Sequence, residues 1–110
     1  MMAAAIQLAG VLKALADPTR RAVYERIVSI GEVSATSLVE GTRVSQPAVS
    51  QHLRTLREAG LVAERRDGRH IRYRAVPEGL APLGDWVAHY SSFWRTHIDR
   101  LEALLKETGQ

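Results

Sequence analysis

The chain has 110 residues, is 45% hydrophobic and 25% charged, and carries a formal net charge of +3 with a pI near 9.8. That balance describes one globular domain over 1–110 with a modest core, and no repeat, low-complexity tract or long linker divides it. Cysteine is absent, which excludes disulfides, thiolate metal sites and thiol redox chemistry, and no stretch is apolar for long enough to span a bilayer. The net charge is mild, but thirteen of the fifteen basic residues are Arg. Arg makes forked contacts to anions where Lys offers a point charge, so where the arginines cluster matters more than their total.

In chain order, residues 1–16 place Leu8, Val11, Leu12 and Leu15 on one side and predict an amphipathic first helix. Ala14-Leu15-Ala16 imitates a signal-peptidase site, but the segment lacks a cationic start and Gln7, Gly10 and Lys13 interrupt its apolar run. Secretion is not expected, and a cytoplasmic location is. Asp17 as N-cap and Pro18 at the first helical position start a second helix, which turns Ala22, Val23 and Ile27 inward and ends near Ser29 or Ile30. Gly31 breaks it, and Glu32-Val33 can form a very short strand. Arg20 and Arg21 are expected to pair with nearby carboxylates, the commoner fate of an Arg near a helix start, although phosphate contact is open to them.

Ser34 can cap a short helix over Ala35 to Glu40, and Gly41-Thr42-Arg43-Val44 is a turn of the length that joins two packed helices. The following segment, 45–59, has both ends marked: Ser45 as N-cap, Pro47 in the first turn, and Gly60 to supply the left-handed residue that ends a helix. Val49, Leu53 and Leu56 form a narrow apolar stripe, whereas Pro47, Ser50, Gln51 and Arg54 point away from it. That outer face is polar and free of acid until Glu58, where an ordinary surface helix would carry Glu and Lys. Gln, Ser and Arg near a helix N-terminus suit the donor and acceptor pattern of major-groove base edges. Residues 34–59 thus predict a helix-turn-helix.

Beyond Gly60, the runs 61–66 and 70–76 flank Asp67-Gly68-Arg69, a strong hairpin signal in which Asp tolerates and Gly prefers positive φ. In the second run Ile71, Tyr73 and Ala75 share one face and His70, Arg72 and Arg74 the other, so that one face packs and the other stays cationic. Five arginines fall between Arg65 and Arg74 against two acids, Glu64 and Asp67. A hairpin so charged, set beside a groove-reading helix, contacts phosphates or inserts Arg into a narrow minor groove. Its plainer use is as a charged edge that resists aggregation.

Pro77-Glu78-Gly79 marks a turn, and a single long helix is expected from about Pro82 to Glu107. Leu80, Leu83, Val87, Tyr90, Trp94, His97, Leu101 and Leu104 recur alternately three and four apart, and Trp86, Phe93, Ile98 and Leu105 widen the stripe. A domain this small has no room to bury so broad a face, which predicts a partner. The simplest partner is a second copy. Segments 1–16 and 78–107 would then be the dimerisation helices, with Leu8, Leu12, Leu83, Val87, Tyr90, Trp94, His97, Leu101 and Leu104 in the interface.

Three stretches carry a family resemblance: Leu15-Ala16-Asp17-Pro18-Thr19-Arg20-Arg21, Val44 through Leu53, and Leu56-Arg57-Glu58-Ala59-Gly60-Leu61-Val62 with the Arg-rich hairpin. Their order and spacing resemble the ArsR family of bacterial winged-helix repressors over roughly residues 8–105. The resemblance implies a mainly α fold with a small β-hairpin, a winged helix-turn-helix in the order α-α-α-α-β-β-α. It also implies a homodimer on a pseudo-palindromic operator in double-stranded DNA, released by an effector. The helix 45–59 would lie in the major groove and the wing, 61–76, on the flanking backbone or in the minor groove. Family usage together with the exposed faces nominates Ser45, Gln46, Pro47, Ser50, Gln51 and Arg54 on the helix, and Arg66, Arg69 and Arg72 on the wing. His52 belongs to the shared pattern but lies near the packed stripe, so a structural role is expected of it.

Where metal-sensing members of that family carry Cys in the short helix, this chain has Leu38-Val39-Glu40. Their Asp-x-His and His-x-x-His or Glu patterns in the long helix meet Val87 after Asp85 and Arg100 after His97. No metal and no cofactor is therefore expected: Asp85 and His89 can pair with each other, and His97 reads as a satisfied buried imidazole on the dimer stripe. The Trp86, Tyr90, Phe93 and Trp94 cluster reads as core or interface rather than a ligand box, leaving the effector unidentified. Nor is an enzyme expected, because Ser45 or Ser50 with His52 is the only nucleophile and base neighbourhood and no orienting acid, oxyanion donor or Gly-rich phosphate loop accompanies it. The alternative from another class is a winged-helix module whose basic face binds an acidic protein.

Overall fold

A computed structural model describes residues 2–109; Met1 and Gln110, at the ends of the predicted domain, lie outside the described residues. Five helices and three short strands run in the order α1 (Met2–Ala16), α2 (Pro18–Ile30), β1 (Glu32–Ser34), α3 (Ala35–Thr42), α4 (Gln46–Glu58), β2 (Val62–Asp67), β3 (His70–Ala75), a 3-10 turn (Pro77–Leu80) and α5 (Ala81–Glu107). The expected helix order stands, and the very short strand expected at Glu32-Val33 forms as β1: it pairs antiparallel with β3, so the hairpin becomes a three-stranded sheet in the order β1-β3-β2.

Local chemistry accounts for the boundaries. The Asp17 carboxylate accepts from the amides of Thr19 (2.9 Å) and Arg20 (3.0 Å), Ser34 Oγ from Ser37 N (3.1 Å), and Ser45 Oγ from Ala48 N (3.4 Å). Each satisfies amides that the first helical turn leaves without partners. Gly60, at φ +77°, reverses the chain after α4, and Leu61 N returns to the Leu56 carbonyl at 3.0 Å. Two expected boundaries move. Gly41 and Thr42 belong to α3, and the left-handed residue is Arg43, at φ 60°. In the hairpin Asp67 pairs with His70, which leaves Gly68 and Arg69 as the two central residues; only Gly68 takes a positive φ, 65°. This is the placement of Gly in a type II′ turn, so Asp67 ends β2 instead of entering the turn.

The core lies where α2, α3 and α4 meet the base of the sheet. Val11, Val23, Ile27, Leu38, Val49, Leu53, Leu56 and Leu61 are fully buried there, with Val33 and Val62 beside them. The α4 stripe is the one expected. In α1 the inward residues are Val11 and Ala14, whereas Leu12 is exposed; in α2 Ala22 is exposed and Tyr24 is buried instead.

The long helix behaves differently. At 27 residues and about 1.5 Å each it extends about 40 Å, and none of its residues is buried. Only its first turns touch the body, where Leu83 and the preceding Leu80 pack on the core. The radius of gyration is 18.8 Å, against about 13 Å for a compact chain of this length. The excess is the protruding half of α5.

Candidate nucleic-acid interface

α4 presents two unlike sides. Val49, Leu53 and Leu56 are sealed into the core, and Gln46, Pro47, Ser50, Gln51 and Arg54 are all exposed. No acid stands in its first turn, so the helix's positive end is unopposed. Ser45 is exposed too; its oxygen accepts the Ala48 amide, which leaves the hydroxyl proton free to donate. Arg54 is engaged with Glu58 one turn on, at 3.3 Å and with both side chains largely exposed. Such a pair is worth about 0–1 kcal/mol and yields readily to a phosphate. His52 is half-buried with its Nδ1 shielded and unpartnered, in keeping with the packed side expected for it.

The wing is anchored to this helix at its base. Arg57 of α4 meets Glu64 of β2 at 3.2 Å, and Val76 N donates to the Leu61 carbonyl at 2.9 Å. Arg65 and Arg72 face each other across the β2–β3 ladder, a like-charge pairing that is unfavourable alone. Each is relieved by an acid: Arg65 pairs with Glu32 of β1, and Arg72 with Asp67 at 3.2 Å. The Arg65 hydrogen bond holds the Glu32 carboxyl below the usual carboxylate range, and Glu32 in turn raises Arg65. Of the nominated wing residues, Arg72 is therefore already committed, while Arg66 and Arg69 are exposed and without a carboxylate among the described residues. The simple division into a packed and a cationic face also needs amendment. Arg66 stands opposite Ile71, on the face that packs nearer the strand base, and Ile71 itself is exposed.

Two further cations were not nominated from sequence. Arg43 is exposed in the turn before α4, and Arg74 is exposed on β3; neither has an acidic partner among the described residues. The left-handed turn that sets Arg43 beside α4 depends on where α3 ends, which the Gly41 signal misplaced. Arg20 and Arg21 have no carboxylate partner among the described residues. Arg20 donates to the carbonyls of Ala14 (2.6 Å) and Lys13 (3.2 Å), and Arg21 to that of Leu15 (2.8 Å). They cap the C-terminus of α1, whose last carbonyls lack helical partners. The close spacing from Leu15 to Arg21 was the available signal.

On α5, Val87, Tyr90, Trp94, His97, Leu101 and Leu104 are exposed, as is Leu12 of α1, whereas Leu8 is half-buried. Asp85 and His89 do not hydrogen-bond. His89 instead meets Tyr90 edge to face at 4.8 Å, and His97 donates Nδ1–H to the Phe93 carbonyl at 3.1 Å. Among the described residues no group of three or more His, Cys, Asp or Glu is placed to hold a metal ion, and no helix is long and apolar enough to cross a membrane.

A helix-turn-helix domain profile matches residues 15–65. The chain is 46% identical over 97 residues to the HTH-type transcriptional regulator Rv2034 of Mycobacterium tuberculosis, covering 88% of this chain and 87% of that protein. It is 31% identical over 99 residues to the arsenical resistance operon repressor of Escherichia coli, covering 89% and 81%. Among solved structures it resembles the homodimeric winged helix-turn-helix DNA-binding domain of Mb0332 from Mycobacterium bovis, with a TM-score of 0.66, 30% identity and 83% of each chain covered. With the α3–turn–α4 unit and its wing in place, the chain belongs to the ArsR family of winged helix-turn-helix transcriptional regulators.

Proposed function

We propose that the protein is a homodimeric repressor that binds a pseudo-palindromic operator in double-stranded DNA and is released by an effector still to be identified. The observation that carries this is the exposed face of α4, acid-free from Gln46 to Arg57, with Arg66 and Arg69 uncommitted on the adjoining wing. Gln46, Ser50 and Gln51 meet base edges, and Ser45, Arg54 and the wing arginines meet phosphate. Arg72 joins them by leaving Asp67. Support for two copies comes from the Mb0332 domain, which is homodimeric, and support for repression from the Escherichia coli relative, itself an operon repressor.

The homodimer gives α5 a purpose. Pairing through Leu8, Leu12, Leu83, Val87, Tyr90, Trp94, His97, Leu101 and Leu104 covers the face that the single chain leaves in water. It also fixes the spacing of the two reading helices, which must be about 34 Å to enter successive major grooves. An effector that tilts α5 changes that spacing and weakens binding.

A mobility-shift titration on DNA upstream of the protein's own gene, repeated across salt concentrations, tests this. Sequence-selective nanomolar binding that weakens steeply with salt is expected. Weak, sequence-blind binding overturns it.

A further inference from the structure

The turn between α3 and α4 breaks two local rules at once. Gly41 lies inside a helix, where glycine is among the least favoured residues. Arg43, two positions later, takes a left-handed φ of 60°, the conformation that glycine holds most easily, and is the one non-glycine residue with a positive φ among the described residues. A helix former at 41 and a glycine at 43 would suit the backbone better. Departures of this kind persist where the side chains have a use.

Gly41 has a visible one. A Cβ built there would come within 2.6 Å of Arg26 Nε and 2.7 Å of its Cζ, so the guanidinium from α2 lies against the last turn of α3 in the space a side chain would fill. That is the end of a helix where unpaired carbonyls favour a cation. With Arg26 in that role Arg43 is not needed for it, and a second guanidinium at the same carbonyls would be repelled by the first.

The Arg43 backbone is held firmly. Its amide donates to the Val39 carbonyl at 3.0 Å, Thr42 Oγ1 donates to the Leu38 carbonyl at 2.5 Å, and Val44 N donates to Thr42 Oγ1 at 3.4 Å. Thr42 and Val44 are half-buried, which leaves the Arg43 side chain outside. Glu40 of the same turn and Glu25, next to Arg26 in sequence, are exposed and form no ion pair with either arginine. The two acids offset the local charge, so what the turn offers an anion is one free fork rather than a broad positive field.

Arg43 stands two residues before Ser45, the N-cap of the reading helix. A helix that enters the major groove passes between phosphate backbones, and a cation just ahead of its first turn faces backbone instead of bases. We infer that Arg43 holds a DNA phosphate beside the entry of α4 and so fixes the register of Gln46, Ser50 and Gln51 on the base edges. The inference rests on the operator-binding reading above and adds to it a contact that lies on neither the reading helix nor the wing.

Because backbone and side chain favour different residues at 43, folding and binding should move in opposite directions. Arg43→Gly, Arg43→Lys and Arg26→Gln are compared with the unaltered chain by urea denaturation and by operator titration across salt concentrations. Arg43→Gly is expected to keep or raise the urea midpoint, to weaken operator binding about five-fold at physiological salt, and to lower the salt slope by about one. Arg43→Lys should retain the slope, and Arg26→Gln should lower the midpoint and leave the slope as it is. An unchanged slope in Arg43→Gly overturns the contact while the operator reading stands. Equal loss of slope in Arg43→Gly and Arg26→Gln overturns it too, since charge would then act without a contact. If the unaltered chain shows no selective, salt-dependent binding, both readings fall.

Discussion

Leu53 and Leu56 of α4 are sealed from solvent, whereas Leu101 and Leu104 of α5 each keep 58% of their surface exposed. The same residue type, on the same kind of amphipathic helix, is spent on holding the domain together in one region and left uncovered in the other. Around α4, Val49, Leu53 and Leu56 are all covered, and apart from Pro47 the outer face is polar. Around α5 most of the stripe meets water once the helix has passed the body. A single chain can therefore build its reading head without help but cannot complete its long helix. Sensitivity to substitution should divide along that line.

The largest effect is expected inside the head. Leu53→Ala should cost about 2–5 kcal/mol of folding stability, since a buried leucine leaves a cavity as well as losing its transfer energy. Urea denaturation measures it, and a loss below 1 kcal/mol would mean that α4 is not packed as described. Trp94→Ala should instead act on assembly. A central aromatic at a subunit interface is worth about 2 kcal/mol, or roughly thirty-fold in the dimer dissociation constant. Sedimentation equilibrium reads this, with helix content expected to hold; an unchanged dissociation constant would place the interface elsewhere.

Two smaller effects separate helix from wing within the head. Gln51→Ala should cost ~1–3 kcal/mol on the operator and relax base preference, and unaltered discrimination among mutated operators would remove its base-reading role. Arg69→Ala should weaken all DNA alike and reduce the salt slope by about one. A slope that does not move would show that Arg69 makes no phosphate contact.

The smallest effect is electrostatic. Asp17 and Glu32 both have carboxyls held below their usual values, Asp17 first by the Arg20 backbone amide and Glu32 by the Arg65 hydrogen bond. Because the folded values are depressed, their contribution is complete above the ordinary carboxylate range of about pH 4 and is lost as pH falls through the folded-state values. Denaturation at a series of acidic pH values should show this decline, and Glu32→Gln should flatten it. Equal slopes in the two proteins would mean that the pair anchoring β1 to the wing contributes nothing.

What could be read from the sequence follows the reach of each interaction. The caps Asp17, Ser34 and Ser45 and the terminator Gly60 act within a few residues, and all four appear where expected. The α4 stripe is a local period and proved to be the buried one. Some failures are local, as where α3 runs past Gly41 and Asp67 stays in β2; the others concern partners that only the folded chain brings together. Arg65 finds Glu32 33 positions away, which no local pattern signals, and the pairing takes Arg65 out of the wing's free charge. Arg20 and Arg21 turn to carbonyls of the preceding helix because the α1–α2 corner brings those carbonyls within reach. A Cβ on Gly79 would lie 2.2 Å from the Gly60 carbonyl oxygen; that close approach depends on how the 3-10 turn meets α4, and sequence offered only a turn there. The outer face of α4 was legible because exposure follows from the buried stripe opposite; the wing cations were legible only in part, since Arg72 meets Asp67 and Arg74 meets no acid among the described residues, and sequence does not say which arginine meets an acid.

The account rests on two α4 helices reading one operator, and hydroxyl-radical footprinting of the upstream DNA with the intact protein tests it most directly. Two protected half-sites of inverted sequence, centred about 10–10.5 base pairs or a multiple of that apart, are predicted. A single protected patch, or protection that ignores sequence, would contradict it.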